Sequence, residues 1–151
     1  GIEAKDIEAE QGSAKIQAIL KHIRNDSTIG QANQILLRWA QMQAGTSKPI
    51  LEDNQDISYI ENRWIVTLRK FMKQIQATIK EENPWTIPAA REHDEHIMDA
   101  FLQAPSVNEK DYAALNYCRL YLRVIITSTS YNIITLINIT LKWSRLANLT
   151  K

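Results

Sequence analysis

Cysteine is nearly absent from this chain of 151 residues. Cys118 alone permits no internal disulfide, and such sparse use of cysteine suits a reducing compartment, so the expected location is intracellular, cytoplasmic or nuclear. Glycine and proline are scarce too, at four each, which leaves little room for the many tight turns of a β-sandwich or barrel. Long hydrophobic runs are lacking. The most apolar stretch, Val124 to Leu141, is interrupted by Thr, Ser and Asn, so no membrane span and no membrane partner is expected. The opening "GIEAKDIEAEQG" is polar and acidic, unlike a secretory signal, and the glycosylation-type triplets at Asn25, Asn138 and Asn148 are therefore read as chance. The chain starts with Gly rather than Met, which raises the expectation of a fragment of something longer.

Catalytic signatures are missing as well. The chain has no G-x-S-x-G and no phosphate-cradling glycine loop, so it carries no catalytic motif and no cofactor is expected. Cys118 falls on the core side of its helix, where a thiol is usually inert filler rather than a nucleophile. Net charge is only +1, so whole-chain charge names no partner and any basic surface must be local.

What is present is a globular balance of 44% apolar and 23% charged residues, at a length typical of one domain. The apolar spacing predicts an all-α fold, a single bundle of five to six helices. The first helix runs from about Ala4 to Arg24, with Ile16, Ile19, Leu20 and Ile23 at i, i+3, i+4 and i+7. The second runs from about Thr28 to Ala44, with Ile35, Leu36 and Trp39 inward and Gly45 at its stop. The third starts at Ser58, which has capping-box spacing to Glu61, and its stripe Ile60, Trp64, Leu68, Phe71, Ile75 and Ile79 continues for five turns. The fourth runs from about Pro88 to Ala104. The fifth runs from about Asn108 to Ile125, opened by a box from Ser106 to Glu109, with Leu115, Cys118, Leu122 and Ile125 inward. "INITLKW" (Ile137 to Trp143) alternates like a half-buried strand but has no obvious partner, so the C-terminal element is read as helix with a strand as the alternative.

Two of the three histidines, His93 and His96, lie in "REHDEHIMDAF". On a helix they share a face and, with a carboxylate, could bind zinc. Their spacing of three does not match the spacing of four in H-E-x-x-H, so a surface helix is the preferred reading and no metal site is assigned.

The sharpest signal is on the third helix. Between Asn62 and Lys80 there are five basic residues, Arg63, Arg69, Lys70, Lys73 and Lys80, and no acid. At about 100° per residue they fall within an arc of about 120° opposite the apolar stripe. A solvated face is usually of mixed sign, because i, i+4 acid–base pairs stabilise a helix. A one-sign face fits a polyanion, whose backbone is gripped by phosphate contacts without sequence reading. The alternative is a solvated face neutralised by acids on neighbouring helices. A weaker patch is "YCRLYLRV", where Arg119 and Arg123 are four apart with Tyr121 between them, a pattern that can stack bases. Tyrosines closing the core edge beside snorkelling arginines explain it better.

"EAEQGSAKIQAILKHIRNDSTIGQ", "LRWAQMQAGTSKPILED", "RWIVTLRKFM", "REHDEHIMD" and "LNYCRLYLRV" occur in this order. Together they resemble the segment that follows the polymerase palm in retrotransposon-encoded reverse-transcriptase-like proteins of unicellular eukaryotes. The resemblance covers roughly Gly1 to Thr127, implying a helical thumb-like domain over residues 1–127 and a divergent segment over 128–151, packing on it or fraying. In the fourth stretch the family pattern centres on Arg91, Glu92, Asp94, Ile97, Met98 and Asp99, and leaves both histidines out. The resemblance implies a role beside an adjacent palm domain, holding the template–primer backbone during RNA-directed DNA synthesis. It implies no catalysis by this chain, which has no paired palm aspartates and no spaced acids of the RNase H kind. Expected nucleic-acid contacts, from the charge pattern alone, are Arg63, Arg69, Lys70, Lys73 and Lys80, with Arg119 and Arg123 as outsiders. A helical protein–protein interaction bundle within a larger polyprotein is the alternative.

Overall fold

In the computed structural model, which describes residues 2–86, 91–105, 107–128 and 142, the first two helices form where the apolar spacing puts them. Helix α1 spans Ile2–Ile23 and α2 spans Thr28–Ala44. The Ser27 hydroxyl accepts the Gly30 amide at 3.1 Å and so caps the start of α2. Gly45 closes it in the left-handed region, at φ 69°, with its amide bonded to the Gln41 carbonyl.

Helix α3 is shorter than its apolar stripe suggests, Arg63–Gln74. It is capped by Asn62, whose side chain accepts the Ile65 amide, and not by Ser58. Ser58 is held in a turn by Asp56, which accepts the Ser58 amide at 2.8 Å, so the expected box to Glu61 never forms. The helix ends in a Schellman pattern. Gln76 is left-handed at φ 54°, and the amides of Gln76 and Ala77 bond to the carbonyls of Lys73 and Met72. Beyond it the chain runs without regular structure. The Ile79 amide bonds to the Leu51 carbonyl and the Glu81 amide to the Glu52 carboxylate, both at 2.8 Å.

The rest differs more from the periodic pattern. His93 has φ 79° and Asp94–His96 form strand β1, where a helix from Pro88 was expected. Helix α4 is confined to Ile97–Gln103 and α5 spans Glu109–Leu122, opened by a capping box between Asn108 and Asp111 rather than by the expected one from Ser106 to Glu109, because Asn108 is the residue directly before the first helical turn. Strand β2, Ile126–Ser128, pairs antiparallel with β1, matching Asp94 to Ser128 and His96 to Ile126. Thr127 and its β-branched neighbours thus find a strand partner that the sequence did not advertise. The alternating stretch 137–143 lies outside the described residues apart from Lys142, as does nearly all of 128–151.

The chain is all-α, with five helices and this short ribbon among the described residues. It forms two compact units, Gly1–Ala40 with Lys48–Trp85, and Gln41–Ser47 with Thr86–Lys151. In the first, Ile19, Leu37, Ala40, Ile65, Leu68 and Met72 are buried together with Ile50, Leu51, Ile57 and Ile60 of the connection before α3. In the second, Ala44, Met98, Phe101, Val107 and Leu115 are buried. Helix α2 seats on the line Leu37, Ala40, Ala44. Ile35 and Trp39, expected inward, lie nearly opposite on the helical wheel and are 67% and 56% exposed. Leu122, also expected inward, is exposed because α5 ends there.

Helices α1 and α3 meet where Gly12 lies against the Phe71 ring, and a Cβ on Gly12 would clash with three ring carbons. The Gly12→Ala variant should therefore lose stability, by about 1–3 kcal/mol, despite the better helix propensity of alanine. Urea unfolding in a double-mutant cycle with Phe71→Ala checks this. The penalty should vanish when the ring is gone.

Candidate nucleic-acid interface

The wheel that grouped the basic residues of α3 took Ile60 to Ile79 as the buried stripe. The side actually buried is Ile65, Leu68, Arg69 and Met72. At about 100° per residue this face is rotated by roughly 80° toward the basic arc. The rotation explains both departures from the sequence pattern: Trp64 and Ile75 come out, at 37% and 49% exposure, and Arg69 goes in.

Arg69 is therefore corrected from a surface contact to an interior clamp. Its Nη2 donates to the Asp53 carboxylate and to the Asp53 carbonyl, each at 2.8 Å, and Lys48 approaches the other carboxylate oxygen at 3.9 Å. Burial pulls the guanidinium below its ordinary value, while Asp53, then Tyr59 and Asp56, push the other way. Nε and Nη1 are buried with no hydrogen-bond partner among the described residues. A group so placed ties the 48–62 connection to α3 and offers no charge to a ligand.

Arg119 is corrected in the same sense. It is buried in the second unit, and its Nη2 lies 2.9 and 2.8 Å from the carbonyls of Met42 and Gln43. Nε and Nη2 also reach the Asn116 side chain, at 3.1 and 2.8 Å. A cation there satisfies carbonyls that the end of α2 leaves open and meets the negative end of its dipole. Gly45 leaves the space this needs, since a Cβ would sit 2.6 Å from the Arg119 Cζ. On the other flank of the same turn, Asp99 accepts both the amide and the hydroxyl of Ser47. The tyrosines beside Arg119 do not close a core edge. Tyr117 and Tyr121 are 70% and 79% exposed.

Arg63, Lys70 and Lys73 remain, exposed on one side of α3. None has an ion pair among the described residues. Lys80 is exposed too, but on the irregular segment after α3, not on its face. Arg123 is exposed in the left-handed position that ends α5, at φ 57°. Lys15 of α1, which sequence reasoning passed over, places Nζ 5.9 Å from the centre of the Trp64 ring. Only the contact between the two helices brings it there, so no local signal announced it.

The histidine stretch is a turn and a strand. Asp94 accepts the Arg91 amide at 3.0 Å and its side chain is almost wholly buried, while His93 is exposed and His96 half-buried. No group of three or more His, Cys, Asp or Glu that could hold a metal ion is found among the described residues. Burial pushes the Cys118 thiol up, away from the thiolate a nucleophile needs. No helix among the described residues is long and apolar enough to cross a membrane. No protein-family model, curated protein or solved structure matches the chain.

Two outcomes follow. Arg119→Ala should cost about 3 kcal/mol or more in urea unfolding, because it strands buried carbonyls and Asn116, whereas Arg123→Ala should change stability by under about 1 kcal/mol. Glu81 gives a pH signature. Burial, then the neighbouring Glu52, raises its pKa, with Arg38 opposing. Its folded form holds the proton more tightly than the unfolded chain, so its contribution to stability is full at low pH and is lost as pH rises through the folded value. Glu81→Gln should raise the melting temperature at pH 7 and the gain should disappear in acid. A constant gain at all pH values would count against this.

Proposed function

We propose that the chain is a non-catalytic helical segment of a retroelement reverse transcriptase, placed like a thumb beside the palm, that holds the template–primer duplex by its backbone. The observation that carries this reading is the trio Arg63, Lys70 and Lys73, exposed on one side of α3 with no carboxylate partner among the described residues. Such a face costs self-repulsion in isolation and is relieved by phosphates, with release of their counterions. Lys80 follows in sequence and adds a fourth exposed cation to the same unit. The resemblance to the post-palm segment supplies the polymerase context. The charge pattern supplies the contact.

A second reading, a helical protein–protein interaction bundle, draws on one specific feature, the exposed Ile35 and Trp39 of α2. The two separate by competition: a nucleic-acid duplex should not displace a partner bound at α2.

Binding to an RNA–DNA hybrid at several salt concentrations tests the proposal. Three phosphate contacts predict that log affinity falls with log salt with a slope of about −3. Arg63→Glu, Lys70→Glu and Lys73→Glu together should abolish the binding without changing the melting temperature. Arg69→Gln, by contrast, should lower stability. Affinity that ignores salt, or that survives the triple variant, refutes the phosphate role.

A further inference from the structure

Trp64 follows Arg63 at the start of α3 and lies under the Lys15 ammonium of α1, 5.9 Å from ring centre to Nζ. Trp64 as a residue keeps 37% of its surface exposed with the lysine in place. On the helical wheel the cationic side of α3 runs from Thr67 through Gln74, Arg63 and Lys70 to Lys73, with half-buried Val66 between the last two, and exposed Trp64 lies past the Thr67 end, beyond half-buried Phe71. One end of the cationic face is thus aromatic. Lys15, like the trio, has no ion pair among the described residues, and a cation–π contact at a partly exposed site is weak enough to exchange for a phosphate.

We infer that Lys15 and Trp64 form a stacking site for an unpaired nucleotide at the edge of the phosphate-binding face. The ammonium leaves the ring for the phosphate of that nucleotide, and the ring takes its base. The site is specific for unpaired strand because a base within a duplex is already stacked on both faces, whereas a single strand offers its π-face freely. The inference rests on the backbone-binding reading above and adds a preference to it: a duplex carrying a single-stranded extension over one with blunt ends.

The test uses the full chain and two probes, a blunt RNA–DNA hybrid and the same hybrid with a short unpaired extension. The wild type should favour the extended probe by about fivefold or more. Trp64→Phe should keep the preference, Trp64→Leu should lose it, and Lys15→Gln, which removes no buried ring, should reduce it while leaving blunt-hybrid affinity within about twofold. Equal affinity of the wild type for the two probes, or a preference that survives both Lys15→Gln and Trp64→Leu, overturns the inference. Salt-dependent binding to the blunt hybrid in that case leaves the backbone reading standing. Failure to bind either probe overturns the backbone reading itself, and this one with it.

Discussion

The seating of α3 is the constraint on which the candidate interface depends. Gly12 lets α1 approach until the Phe71 ring lies against its backbone, and Ile65, Leu68 and Met72 fill the side turned inward. A helix cannot present one face without withdrawing another, so this contact decides which cations meet solvent. Arg63, Lys70 and Lys73 lie well away from the buried line. Arg69, next to Leu68 in the chain, is carried under with it. Its charge would be costly there without Asp53, and the pair then becomes part of what holds the preceding connection in place.

The same chemistry recurs in the second unit with different geometry. Arg119 is buried against the carbonyls that end α2, and Asp99 takes the amide and hydroxyl of Ser47 just beyond. Together they hold the Gly45–Ser47 turn from both sides. Two arginines from basic-looking stretches are thereby committed to structure. Arginine suits this use because its planar fork can serve several acceptors at once and is less strongly hydrated than an ammonium. The lysines, by contrast, stay outside. Lys70, Lys73 and Lys80 are all exposed, as expected of compact, strongly hydrated charges. Side-chain type alone does not separate interior from exterior cations, since Arg63 and Arg123 are exposed as well; position on the helix decides.

Helical content was legible because it depends on local spacing and local caps. The stop at Gly45 and the start of α2 follow from residues within one turn, and α5 also opens on a local box, though from Asn108 rather than from Ser106. Failures cluster where a residue outside that window intervenes. Asp56 took Ser58 out of its expected box. Ile125 to Ser128 drew Asp94–His96 into a ribbon and removed two turns from the expected fourth helix. Helix α2 turned its alanine line inward and left Trp39 outside, because small residues allow the close approach that a bulky stripe prevents.

By itself the sequence determined that the chain is helical, that it has no catalytic motif, and that one helix concentrates positive charge without compensating acids. Those properties reside in composition and in periods of three to four residues, which any partner must accept as given. Only the tertiary structure decided how far each helix is rotated about its own axis. That rotation is set by the shape of the neighbouring surface, through contacts such as Gly12 with Phe71 and Asp53 with Arg69, whose partners are far apart in the chain. It left three of the five candidate cations on one face and carried one into the interior, while the end of α3 at Gln74 left Lys80 beyond the helix, and the seating of α1 on α3 brought Lys15 to Trp64.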